Sequence, residues 1–316
     1  MLSPTLLRTL HVEPAEHPRG QAHLSSASGL VHVQGRCYVV ADDEHHLGCF
    51  KLQDNSAVKL KRLFSDDLPA DPIKRKAAKP DLEVLALLPT TLRYPFGALL
   101  ALGSGSQLQR HGGLVMALNA AGKLGKGDDL VSQRLNLTEL YAPLHSEFAD
   151  LNIEGCFISG DVLHLLQRGN KGASKGESRS ACIAWHLPQV QAWLLDPEDT
   201  PAPVHSHIVT IDLGHVDAVP FTPTDGCVLP NGNWLISAAA ENTTDSYSDG
   251  PCTGSALAVV SPTGQLLQMH PLQSAPKVEG ISVLARTSTK QVSVLMVTDA
   301  DDPDIPSKLL TVNCPV

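Results

Sequence analysis

The chain is predicted to be all-β, a five-bladed β-propeller closed by its own N-terminal strand. Three observations predict this: a polar-then-apolar phrase recurs five times, each recurrence opens a set of short strand-like runs, and helical periodicity is scarce. The phrases are Ala27-Ser28-Gly29-Leu30, Leu82-Glu83-Val84-Leu85, Ile153-Glu154-Gly155-Cys156, Thr224-Asp225-Gly226-Cys227 and Val278-Glu279-Gly280-Ile281. Their polar members stand 55, 71, 71 and 54 residues apart, periods that belong to stacked or radial repeats.

In the first unit, residues 29–33 are followed by a Gln34-Gly35 turn, residues 37–41, a polar patch at 42–46, and residues 48–52. These runs are rich in β-branched and aromatic residues and read as an antiparallel meander. Unit two offers 82–88, 98–102 and 113–118; unit three 155–158, 162–166 and 181–185; unit four 226–229, 234–237 and 255–260; unit five 280–285, 292–297 and 308–312. A fourth, outer strand is expected where the linking chain is long, as at 207–211. The last unit lacks one, and residues 6–12 are expected to supply it, removing an exposed sheet edge. Short helices are expected at 187–195 and 135–141. A six-bladed count stays open if a 71-residue interval hides a degenerate blade.

No Pro/Gly/Ser linker divides the 316 residues, which are expected to form a single domain, 1–316. A net charge of −9 argues against nucleic acid as a partner, since phosphate neutralisation needs a basic face. No apolar stretch approaches the length of a membrane span, and residues 1–8 lack a secretory pattern. The seven cysteines are odd in number, contain no CxxC and mostly lie in apolar runs, so buried reduced thiols in a cytoplasmic protein are expected. A monomer or weak homo-oligomer is expected.

A propeller places the first strand of each blade on the axis, so Ser28, Glu83, Glu154, Asp225 and Glu279 are expected to converge at one mouth. Clustered carboxylates repel unless protons or a cation neutralise them. Ca²⁺, which accepts several oxygens at flexible geometry, is the favoured ion. The plainer alternative is that these residues bond to neighbouring backbone N–H groups and close the channel without metal. The ends of the second strands are expected on the same rim, bringing Asp42, Asp43, Arg110 and Arg168 to the site. Arg168, Lys171, Lys175 and Arg179 suit an anionic, phosphorylated small molecule; the alternative for the lysines is a solvated hairpin within residues 169–180. The Gly103-Ser104-Gly105-Ser106 run could cradle phosphate but lacks the P-loop pattern. No GxSxG, HExxH or GxGxxG motif is present.

These residues resemble the calcium-activated nucleotidase (apyrase) family, five-bladed propellers with one axial Ca²⁺. That family's ligands run Ser, Glu, Glu, Ser, Glu; Ser28, Glu83, Glu154 and Glu279 match in order, and Asp225 stands where Ser is usual. Val40-Ala41-Asp42-Asp43, Lys277-Val278-Glu279-Gly280-Ile281 and Gln167-Arg168 resemble its further motifs, while its aromatic-rich loops are poorly matched. The chain also resembles a group of uncharacterised bacterial proteins that share Lys79-Pro80-Asp81-Leu82-Glu83 and Leu102-Gly103-Ser104-Gly105-Ser106. The first resemblance implies a Ca²⁺-dependent phosphohydrolase acting on a nucleotide-like substrate, with Asp42 or Asp43 activating water and Arg110 and Arg168 stabilising charge. Two rivals remain: a calcium-dependent lactonase-like hydrolase with His45 or His46 as base, and a non-catalytic metal-stabilised scaffold.

Overall fold

The computed structural model describes residues 1–125, 132–169, 179–242 and 250–316. Five four-stranded antiparallel sheets form the blades. From the axis outward, blade one is Ala27–Val33, Arg36–Ala41, His46–Lys51 and Lys61–Arg62. Blade two is Leu82–Leu88, Ala98–Gly103, Gly112–Ala117 and Ser132–Asn136. Blade three is Ile153–Ser159, Val162–Gln167, Ala181–His186 and His207–Thr210. Blade four is Thr222–Val228, Trp234–Glu241, Cys252–Val260 and Leu266–Pro271. Blade five takes Val278–Ser288, Gln291–Thr298 and Lys308–Pro315 from the end of the chain and Thr5–Thr9 from its start. The inner strands touch in the cycle one, two, three, four, five, one, so the ring is closed. Five blades, not six, absorb the long intervals.

Those intervals contain helices instead. Leu187–Leu195 forms as expected and buries Leu187, Val190, Trp193 and Leu194. The helix expected at 135–141 begins later, at Thr138, and runs to Glu147. Leu135 stays in the outer strand of blade two, paired with Gly113, and the Asn136 side chain accepts the Thr138 N–H at 3.0 Å, which turns the chain into the helix. A third helix, Pro72–Ala78, had no sequence expectation. Its Asp71 cap accepts the Lys74 N–H at 2.9 Å, and Pro72 occupies its first turn, where a missing N–H costs nothing.

Apolar clusters fill the spaces between blades. Val84, Leu100, Tyr141, Leu144, Leu165 and Trp185 lie in the largest of them, beside blades two and three. Burying a leucine or tryptophan of this kind contributes roughly 1.5–3 kcal/mol. All seven cysteines are free. Among the described residues, no helix is long and apolar enough to cross a membrane.

Candidate functional site: the axial mouth

Each inner strand carries one extra residue relative to its neighbour, a β-bulge close to its start. The ladder shifts between Ala27 and Leu30, Leu82 and Val84, Ile153 and Gly155, Pro223 and Asp225, and Val278 and Gly280. Counting the pairs across each shift leaves Ser28, Glu83, Glu154, Thr224 and Glu279 without a ladder partner, together with Gly29 in blade one. A bulge re-aims the side chain it carries; the five bulges stand at equivalent places around the ring, and four of their side chains, all but Thr224, line one cavity.

In blade four the ring residue is therefore Thr224, and the expectation for Asp225 is displaced by one position. Asp225 occupies the place of Gly155 and Gly280, and a one-residue step in a strand reverses the face. Its carboxylate accepts the Ile281 N–H at 2.9 Å and the Cys156 N–H at 3.4 Å, clamping blade four to blades five and three. Burial raises its pKa well above the usual carboxylate range, opposed by these N–H groups. The Thr224 hydroxyl is tied to the Val278 carbonyl at 2.8 Å and to the Ser237 hydroxyl at 2.8 Å. The glycines of the phrase let the strands approach: a Cβ on Gly155 would lie 2.6 Å from Asp225 Cα, and one on Gly280 would lie 2.4 Å from the Ser28 carbonyl oxygen.

Ser28, Glu83, Glu154 and Glu279 all line a mouth cavity of about 500 Å³, as do Asp42, Asp43, Arg110 and Arg168. A second tier is set by a repeated backbone bond. The amides of Asp42, Ser104, Arg168 and Asp299 donate to the carbonyls of Ser26, Asp81, Asn152 and Lys277, at 2.9 to 3.1 Å. Each acceptor stands two residues before its ring residue, so strand alternation places both polar groups toward the mouth.

Two chains of ion pairs run around this tier. Lys79 bridges Asp42 and Asp81, lying 2.8 Å from the latter, while Arg110 meets Asp81 at 2.8 Å and the Ser106 hydroxyl at 2.8 Å. Across the mouth, Arg168 contacts Glu154 at 3.3 Å and Glu241 at 2.7 Å; Lys277 contacts Glu241 at 2.8 Å and Glu279 at 3.2 Å. Between the chains, like charges face each other. Burial raises Glu83 well above its usual range, and Glu154, Asp81 and Asp42 add to the rise. Glu154 is pushed up to about 8 by burial, held down by Arg168 and raised again by Glu279. Asp42 and Asp299 are also raised by burial, and the charge of Asp42 adds to the rise at Asp299.

Among the described residues, one acidic group is tight enough to suit a hard cation, and Glu83 is its one member from the ring. Carboxylate oxygens of Asp42, Asp81 and Glu83 lie within 4.8 Å of one another, a spread that a shell of 2.3–2.6 Å bonds can span. Glu279 Oε1 is buried, with the Lys277 ammonium 3.2 Å away. Several further cavity residues carried little sequence signal. Arg19 reaches in from ahead of blade one and holds Asp43 at 2.8 Å, and Arg75 of the third helix donates to the Asp43 carbonyl at 3.0 Å. Asn152 donates to Glu154 at 2.6 Å.

Other expectations fall elsewhere. His45 and His46 do not line the cavity; His45 Nδ1 lies 2.8 Å from the Asp66 carbonyl. The Gly103–Ser106 run is no phosphate cradle, because its amides are spent internally: Ser104 on the Asp81 carbonyl at 3.0 Å, Gly105 on the Arg110 carbonyl at 3.2 Å, Ser106 on the Ser104 hydroxyl at 3.3 Å. Arg179 is 3.5 Å from Glu147, away from the mouth. Lys171 and Lys175 lie outside the described residues.

A search of curated proteins returns no match. Solved structures similar to the chain include glutaminyl cyclase of Myxococcus xanthus, with 11% identity over 100% of this chain and 98% of that one, at a TM-score of 0.48. A gluconolactonase from Xanthomonas campestris shares 12% identity over 100% and 98%, at 0.41. The WD40 domain of Neurospora crassa Pan2 shares 8% over 99% and 96%, at 0.40. Residues 23–314, which include all five inner strands and their ring residues, match the Family of unknown function (DUF6929), and the chain belongs to that family.

Proposed function

We propose that the mouth cavity binds a divalent cation, Ca²⁺ in the first instance, and hydrolyses a phosphorylated small molecule beside it. The observation that carries this reading is the ring of bulged residues, Ser28, Glu83, Glu154, Thr224 and Glu279, whose three carboxyls are buried and crowd one another. Its order of Ser, Glu, Glu, Thr, Glu keeps a hydroxyl residue at the fourth position, as in the calcium-activated nucleotidases that the sequence resembles. Ser28, Glu83, Glu154 and Glu279 would hold the ion, which when bound polarises a phosphoryl oxygen. The chain's own groups divide the remaining work. Asp42, whose proton affinity is raised by burial, takes up the proton of the attacking water at its carboxylate; Asp43, fixed by Arg19, orients that water. Arg110 and Arg168 point guanidinium groups at an anionic substrate from two sides.

The test is Ca²⁺-dependent phosphate release across a panel of nucleoside diphosphates and sugar phosphates, with Asp42→Ala as the control. Release that needs the ion and is lost in the variant supports the reading; no release on any member of the panel removes the hydrolase. A second reading is favoured by the ion pairs of Arg110 and Arg168, which are already held by Asp81, Glu154 and Glu241. In that case Ca²⁺ raises the melting temperature, an anionic ligand binds, and nothing is turned over.

A further inference from the structure

We infer that the ligand of the mouth cavity carries an apolar arm, and that this arm lies in a second hollow between blades four and five. The inference rests on the reading of the cavity as an anion-binding site. The second hollow measures about 460 Å³ and adjoins the mouth cavity, with Lys277, Asp299 and Asp301 lining both and Lys277 ion-paired to Asp301 at 2.5 Å between them. Away from that shared end the chemistry changes. Pro251, Ala275, Pro276, Ile305 and Pro306 supply most of the walls, with Thr298 and Lys308 as their polar members. Three of these are prolines, which offer no N–H and hold their rings rigidly. Cys252 also lines the hollow, its thiol 3.2 Å from the Gly254 carbonyl and 4.0 Å from that of Ala275. Ser274 and Ala275 hold left-handed φ values of 66° and 38°, so the Ala275–Pro276 wall is set by a turn of unusual shape. Ile305 is 44% exposed although it sits on a concave wall.

A ligand that filled only the charged mouth would leave these apolar walls wet. One with a ring or short alkyl arm beside its anionic group would dry them, and burial at about 25 cal/mol per Å² makes an arm of naphthyl size worth roughly tenfold or more in affinity. The occupant is thus a small amphiphilic anion, its phosphoryl head on the axis and its arm across Pro276 and Pro306.

Phosphonates, which resist hydrolysis, separate head from arm. Titration calorimetry with CaCl₂ present would compare methylphosphonate with (1-naphthylmethyl)phosphonate on the native chain, Ile305→Asp and Pro251→Asp, the two variants altering separate walls of the hollow. The native chain is expected to prefer the naphthyl compound at least tenfold. Each variant should bring that ratio below threefold while binding methylphosphonate within twofold of native. A native ratio within twofold of unity, with methylphosphonate bound, overturns the arm alone, as does a tenfold ratio kept in both variants. Failure of both phosphonates to bind overturns the reading of the mouth cavity, and this inference with it.

Discussion

The Asp225 carboxylate accepts the Ile281 amide at 2.9 Å, joining the inner strand of blade four to that of blade five. A residue with the composition of a metal ligand thus acts as a clamp between backbones. Asp225→Ala would leave buried N–H groups of Ile281 and Cys156 without acceptors, a cost of about 2–4 kcal/mol. Urea unfolding is expected to show that loss, with Asp225→Asn milder, and the Ca²⁺-induced melting shift of Asp225→Asn should match the native one. A shift abolished in Asp225→Asn would return Asp225 to the ion.

Arg168 stands between Glu154 and Glu241, on the path that links blades three, four and five. Removing one member of a buried pair strands its partners, at about 3–5 kcal/mol. Arg168→Met should therefore lower the unfolding free energy by that order, and Arg168→Met combined with Glu241→Gln should recover part of it. Recovery is measured by a double-mutant cycle in urea; strict additivity would deny the coupling.

The close approach of inner strands at Gly155 and Gly280 leaves no room for a methyl group. Gly280→Ala is expected to cost about 2 kcal/mol or more by overpacking. A melting temperature equal to native would show that the ring is wider than described.

Acid should weaken the fold through two buried histidines. His164 is stacked on Phe157, with ring centroids 4.6 Å apart, and burial lowers its pKa from 6.5 to about 4. Burial likewise lowers His17 to about 4, against the pull of Glu44. A folded pKa below the unfolded one means that the unfolded chain binds the proton first. The stability that these two histidines contribute is therefore full above pH 6.5 and is lost progressively as pH falls toward 4. The raised pKa values of Glu83, Glu154 and Asp225 act in the opposite sense, adding stability as pH falls, so the histidine contribution is read as a difference: from pH 7.5 to 5 the urea midpoint of His164→Gln should gain relative to that of the native chain. An unchanged slope in the variant would locate the acid sensitivity elsewhere.

The architecture was readable because alternation and turn residues are local signals, and the phrase marks where each blade begins. Ser28, Glu83, Glu154 and Glu279 were readable for the same reason. Thr224 was not, because Thr224-Asp225-Gly226 admits two frames and only strand pairing chooses between them. Aligning Gly226 with Gly155 favours Asp225, whereas the bulge aligns Asp225 itself with Gly155. The helix Pro72–Ala78 is two turns long, too short to display a 3.6-residue period, although Asp71 and Pro72 mark its start. The partners of Lys79 and Lys277 were hidden because each reaches a carboxylate on another blade, Asp42 and Glu241, that only the closed ring brings near.

Burial and its acidic neighbours raise the pKa of Glu83 and favour its uncharged form, so the isosteric Glu83→Gln should leave the unfolding free energy of the metal-free chain close to native. The same variant should shrink the calcium response, which for the native chain is about 2.7 kcal/mol at a hundredfold excess over Kd. A native-sized response in Glu83→Gln would exclude Glu83 as a ligand.

The most direct measurement is a crystal structure of the native chain grown with CaCl₂ and recorded where calcium scatters anomalously. The account predicts an ion on the propeller axis with oxygens of Ser28, Glu83, Glu154 and Glu279 at 2.3–2.6 Å. An axis without anomalous density at saturating calcium, with Glu154 and Glu279 still paired to Arg168 and Lys277, would contradict it.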